Sequence, residues 1–171
     1  PAASKIHMLS EQVAVSFGTA MATYAGQNYG AGKAGRVREG LRKCALACEA
    51  ITLGIMVIMT AFGGVMSSWF IDGYHPEVIQ QAHLYLFISA LFYPALTMLF
   101  LYRNTLLGLG NGVTPMLAGV CELLSRMIGA PVLGHFFGFT GLCWINPIAW
   151  VTASGLLFLS YRKTMRNIRP V

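Results

Sequence analysis

Apolar stretches fill most of the chain and are separated by short polar breaks. Five can be laid out in order, over residues 3–29, 37–70, 76–107, 115–137 and 142–161. Each meets or exceeds the roughly 20 residues needed to cross the hydrocarbon core of a bilayer. Backbone N–H and C=O groups in lipid must be paired within their own segment, so all five are expected to be helices. The fold class that follows is an all-α integral membrane protein, with residues 1–171 forming a single transmembrane domain.

The breaks carry helix punctuation. Gly30, Gly32 and Gly35 stop the first segment, and Asp72, Gly73 and Pro76 divide the second from the third. Pro76 stands where a first helical residue would be, with Glu77 in the first turn, where the helix dipole favours an acid. GLGNGVTP, residues 108–115, ends with Thr114 as the expected N-cap before Pro115. Residues 138–141 form the last and shortest turn. Pro94, Pro131 and Pro147 fall inside segments, where each removes a backbone hydrogen bond and favours a kink. Asn146 is placed to satisfy a carbonyl freed by the kink at Pro147.

Within the first helix, about 100° of rotation per residue separates three faces. Gln12, Ser16, Thr19, Thr23 and Gln27 form a polar stripe, and Ala14, Gly18, Ala22 and Gly26 repeat every fourth residue beside it. Ile6, Val13, Phe17, Met21 and Tyr24 make a bulky apolar side. The pattern predicts close packing on a neighbour through the small stripe, lipid against the bulky side and a cavity against the polar stripe. The alternative is that the hydroxyls only bond back to their own helix. On the fourth helix Glu122 and Arg126 stand four apart, acid first, the favourable order for an intrahelical pair. An ionisable pair inside a membrane is either a functional group or a structural lock. Glu49 is a third candidate intramembrane acid.

Composition agrees with this pattern. Of 171 residues 56% are hydrophobic and 11% charged, against about 25% charged in a soluble domain. The net charge of +6 raises the question of nucleic acid, but the placement of the charges excludes it. Lys33, Arg36, Arg38, Arg42 and Lys43 form one cluster and Arg162, Lys163, Arg166 and Arg169 another, each at the end of an apolar stretch. With Arg103 they are ten of the twelve basic residues, all on alternate breaks or the C-terminus. By the positive-inside rule the C-terminus is cytoplasmic and the N-terminus outside, in a cell (plasma or inner) membrane.

Cys44, Cys48, Cys121 and Cys143 have no CxxC spacing and read as small packing residues. His7, His75, His83 and His135 fall near expected outer helix ends, without the spacing of a metal site. Trp69, Phe70 and Tyr74 read as an interfacial aromatic belt. No cleavable signal is visible, and no HExxH, nucleophile elbow, P-loop or paired carboxylate appears, so no enzyme, catalytic residue, metal site or organic cofactor is expected. The chain starts at Pro1 and its helix number is odd, which leads us to expect a truncated chain with a helix missing upstream.

GQNYGAGKAGRVREG (residues 26–40), DGYHPEVI (72–79), the turn GLGNGVTP and the E-xxx-R pattern of Glu122 and Arg126, followed by Pro131, occur in this order along the chain. Together they resemble the multidrug and toxic compound extrusion (MATE) transporters. The resemblance implies that the five helices correspond to helices 8 to 12 of a twelve-helix, two-lobed transporter, most of a C-terminal lobe without its N-terminal partner lobe. It implies export of small cationic or amphipathic substrates by alternating access, driven by a sodium or proton gradient. Some members hold sodium with acids on their seventh and tenth helices; the seventh has no counterpart here, and residues 80–107 contain no carboxylate. What carries over as substrate-binding is a share of the cavity wall: Gln12, Ser16, Thr19, Thr23 and Tyr93, with Glu122 and Arg126 as an internal polar anchor. Other readings are a lipid-linked oligosaccharide flippase of the same superfamily, or a truncated, non-transporting scaffold in the lipid. Arg126, read as the only cation deep in a helix and as already paired, favours the exporter over a phosphate-binding flippase.

Overall fold

The computed structural model describes residues 2–68 and 76–168. The described residues form five helices: α1 (Ala2–Gly30), α2 (Ala34–Ser68), α3 (Pro76–Leu91), α4 (Tyr93–Gly108) and α5 (Val113–Asn167). The expected belt of Trp69, Phe70 and Tyr74, and His75, lie outside the described residues. α2, over Ala34–Phe62, and α5 are each long and apolar enough to cross a membrane, and α3 with α4 together make a third such span.

Two of the breaks use one device. α1 ends with Gly32 at φ 70°, and the Lys33 N–H bonds the Asn28 carbonyl at 2.8 Å. α4 ends with Gly110 at φ 80°, and the Asn111 N–H bonds the Leu106 carbonyl at 2.9 Å. Both are Schellman caps, which need a left-handed residue that only glycine adopts without strain. The next helix opens differently from the expectation at Thr114. Gly112 is the N-cap, and Asn111 Oδ1 accepts from the Thr114 N–H at 3.2 Å and from its hydroxyl at 3.3 Å.

The stretch over 76–107 is broken rather than continuous. α3 and α4 meet at Phe92 with a bend of 51°. Pro94 accounts for it, because it offers no N–H to the Ala90 carbonyl and its ring crowds that position. α5 contains one non-helical residue, Gly138 (φ 57°, ψ −139°), where the chain doubles back. Its arms, 113–137 and 139–167, run antiparallel. The Ser160 hydroxyl donates to the Thr114 hydroxyl at 2.9 Å across them, and Gly141 lies so close to the Leu133 carbonyl that a Cβ would collide with it. Pro131 and Pro147 sit within these arms without a break in backbone conformation. Asn146 does not serve the kink; its amide donates to the Tyr85 hydroxyl at 3.5 Å.

Small residues set how the helices approach. α1 packs on α4 through Gly18, under Asn104 and the Phe100 carbonyl, and through Gly26, against Gly108. The middle of the bulky side of α1 turns inward, contrary to the lipid-facing expectation, while Tyr24 stays exposed at 38%. Met21 is 3% exposed and belongs to the core, with Val13 and Phe17 packed against it. The core continues through Val37, Cys48, Leu86, Leu99, Trp150 and Leu157. A buried hydrogen bond of 3.1 Å between the Thr52 and Thr97 hydroxyls ties α2 to α4. Large apolar side chains face outward instead along α2 (Leu46, Leu53, Val57, Phe62) and the first arm of α5 (Met116, Val120, Leu124, Met127). An aqueous monomer rarely exposes so much apolar surface, whereas a bilayer solvates it.

Candidate functional site

Polar groups that a membrane would make costly gather between α1, α4 and the two arms of α5. Glu122 is the hub. Its side chain is 11% exposed and accepts from Arg103 through Oε1, while Arg126 stands 3.6 Å from Oε2. Arg103 therefore belongs inside the lobe, not to the basic end to which its charge assigned it. Its side chain is 24% exposed, and Nε is buried without a hydrogen-bond partner among the described residues. Arg126, read from the sequence as the only deep cation, is one of two and the more loosely held.

The cluster extends onto α1. Glu11, half-buried, lies within electrostatic reach of both Arg126 and Glu122, and His7, one turn earlier, within reach of Arg126. His7 is buried at 8% exposure. Its Nδ1 is 2.9 Å from the Tyr93 hydroxyl, and its ring stacks on Tyr93 and on Trp150, each at 5.5 Å. Tyr85 meets it edge-on at 6.1 Å. His7 thus sits inside the lobe and not at an interface. Two arginines and two glutamates gather here, and the buried pair, Arg103 and Glu122, neutralise each other as burial demands.

The helices leave this cluster open along one side. α1 packs on α2 and α4, and α4 packs on α5, but α1 and α5 meet only sparsely. Gln12, Ser16, Thr19 and Thr23 are all exposed on α1. Three of these side chains are satisfied by their own helix: Ser16 donates to the Gln12 carbonyl at 2.8 Å, Thr19 to Val15 at 3.0 Å and Thr23 to Thr19 at 3.5 Å. Of the residues singled out in the sequence, Tyr93, Glu122 and Arg126 therefore belong to the interior cluster, and the α1 stripe to an open face that begins beside Glu11.

His7, Glu11, Tyr85, Arg103, Asn146 and Trp150 join the site without having been assigned to it from sequence. The spacing of His7 and Glu11, four apart and so on one helix face, was a usable signal for that pair. Among the described residues no three His, Cys, Asp or Glu side chains gather as a metal site requires. The four cysteines are free, with Cys48 and Cys143 buried.

A family model described as MatE matches residues 2–132. No curated protein matches the chain.

Proposed function

The chain belongs to the MatE family of membrane transporters, and from that premise we propose that it forms one wall of the translocation path of a secondary active exporter. The substrates are small cationic or amphipathic compounds, moved by alternating access against a sodium or proton gradient, with a second lobe closing the path. The observation that carries this reading is the α1 stripe of Gln12, Ser16, Thr19 and Thr23, exposed yet polar, running from the Glu11–Arg126–Glu122 cluster. Polar side chains on an outward face of a membrane helix are at home against water or another helix rather than lipid. The hydroxyls at 16, 19 and 23 bond back to α1, the alternative weighed for them from the sequence, so the exposure of the stripe beside the charged cluster is what supports the path.

The charge balance of the cluster supports an exporter over a flippase for phosphorylated lipids. Both arginines share Glu122, and Glu11 adds a further acid, so no surplus cation remains for a phosphate. The cytoplasmic placement of the C-terminus follows from the same reading, with both basic clusters on the inner side.

The test is efflux of a fluorescent organic cation from energised vesicles that contain the native polypeptide bearing this chain. Replacing Ser16, Thr19 and Thr23 together with leucine is expected to lower transport about tenfold, with thermal stability changed by less than about 0.5 kcal/mol per site, as for surface positions. Unchanged transport would exclude the stripe from the path. Translocation of a labelled phospholipid-linked sugar without cation efflux would instead support the flippase.

A further inference from the structure

A basic crevice opens at the end of the bundle where α2 begins and α5 finishes. Arg38, Arg162, Lys163 and Arg166 surround a hollow of about 580 Å³ over Leu159, Tyr161 and Met165. An adjoining hollow shares Arg38, Met165 and Arg166 and adds Ile168 to the apolar floor. Four cations thus converge from two helices far apart in sequence, and no acid lines either hollow. Glu39, beside Arg38 in sequence, is already engaged by Lys43 at 2.7 Å.

Tyr161 adds a second, independent observation. The side chain is 8% exposed, and its hydroxyl is buried without a hydrogen-bond partner among the described residues. Such an orphan is unfavourable, and Tyr161 is one of the residues that line the crevice. Arg38 lies within electrostatic reach of the same hydroxyl. Depth decides which anion is at hand. Leu46 on α2 and Leu159 on α5 are 64% and 66% exposed and begin the lipid-facing surface immediately inward of the cations. The crevice therefore lies at the boundary of polar and apolar surface, where headgroup phosphates sit and basic pockets between helices recruit anionic lipids.

We propose that this crevice binds the headgroup phosphate of an anionic phospholipid, with Arg38 and Arg166 pairing to it, Tyr161 donating a hydrogen bond and Leu159, Met165 and Ile168 against the upper acyl chain. It is separate from the Glu122 cluster, and its occupancy ties the start of α2 to the end of α5.

Native mass spectrometry of the delipidated native polypeptide, titrated with phosphatidylglycerol or phosphatidylcholine, tests this. Phosphatidylglycerol should be retained about tenfold more than phosphatidylcholine, the size of one charge-assisted contact. Arg38→Gln with Arg166→Gln should abolish the preference, Tyr161→Phe should weaken it, and Arg42→Gln with Lys43→Gln should leave it intact. Inorganic phosphate at millimolar concentration should not displace the lipid. Equal retention of the two lipids, a preference that survives R38Q/R166Q, or one lost equally in R42Q/K43Q would overturn the site. Displacement by inorganic phosphate would overturn the lipid as its ligand.

Discussion

Replacing Glu122 with alanine should lower stability by about 3–5 kcal/mol, the range for removing one member of a buried ion pair, and should abolish transport. The size follows from what remains behind. Arg103 would keep its charge at 24% side-chain exposure, with its principal partner gone and Nε already unsatisfied. Arg126 would lose its contact as well, but its half-exposed guanidinium can turn outward. Arg103→Met alone should cost less, because Glu122 then retains Arg126. The double variant E122A/R103M should recover more than half of the loss, since it removes the buried Arg103 charge and leaves only the half-exposed Arg126 without its partner. Reversible unfolding in mixed micelles, followed by tryptophan fluorescence, measures all three. A loss in E122A below about 0.5 kcal/mol, the usual scale of a surface change, would mean that Glu122 is not the hub of the cluster.

Gly108→Val should separate α1 from α4 and cost about 3 kcal/mol or more, at or above the upper end for overpacking a tight contact. A Cβ at residue 108 would collide with the Ala22 carbonyl oxygen and stand 2.9 Å from the Ala25 Cβ. These are backbone and the first side-chain atom, so no rotamer change relieves the overlap. The damage should reach transport, because α4 carries Arg103 and Tyr93 into the site. Gly119→Ala is the contrast. Nothing lies within 4 Å of the position its methyl group would take, and alanine is the better helix former by about 0.8–1.0 kcal/mol, so stability should hold or rise. Equal melting of both variants would show that the α1–α4 contact is looser than described.

The small stripe of α1 was legible because close helix packing admits only small residues, whatever surrounds the bundle. Gly18 and Gly26 meet α4 as their fourfold repeat predicts. The bulky face was not legible in the same way. Lipid and protein core are both apolar, so a side of Val13, Phe17 and Met21 suits either, and only the arrangement of neighbouring helices put Met21 in the core. The break at Phe92 had Pro94 as its one signal, and proline is too frequent in membrane helices to fix a bend by itself.

The site divides along the same line. Glu122 and Arg126 were visible because their spacing is local. Arg103 was not, because it comes 19 residues before Glu122 and meets it only when the turn at Gly110 and Asn111 folds α4 against α5. Its position near a helix end made it look like one more cation of the basic side. His7 and Tyr93 are 86 residues apart, and nothing in either local pattern predicts that they share a hydrogen bond.

The central claim, that the polar stripe of α1 faces an aqueous path, is tested most directly by chemical access. In the native polypeptide, with Cys44, Cys48, Cys121 and Cys143 replaced by serine or alanine, single cysteines at Ser16, Thr19 and Thr23 would be treated with a membrane-impermeant maleimide. Labelling is expected at all three, slowed by a transported cation, while a cysteine at outward-facing Val57 or Val120 stays unlabelled. Labelling at Val57 or Val120 but not at the stripe, or no protection by any transported cation, would contradict it.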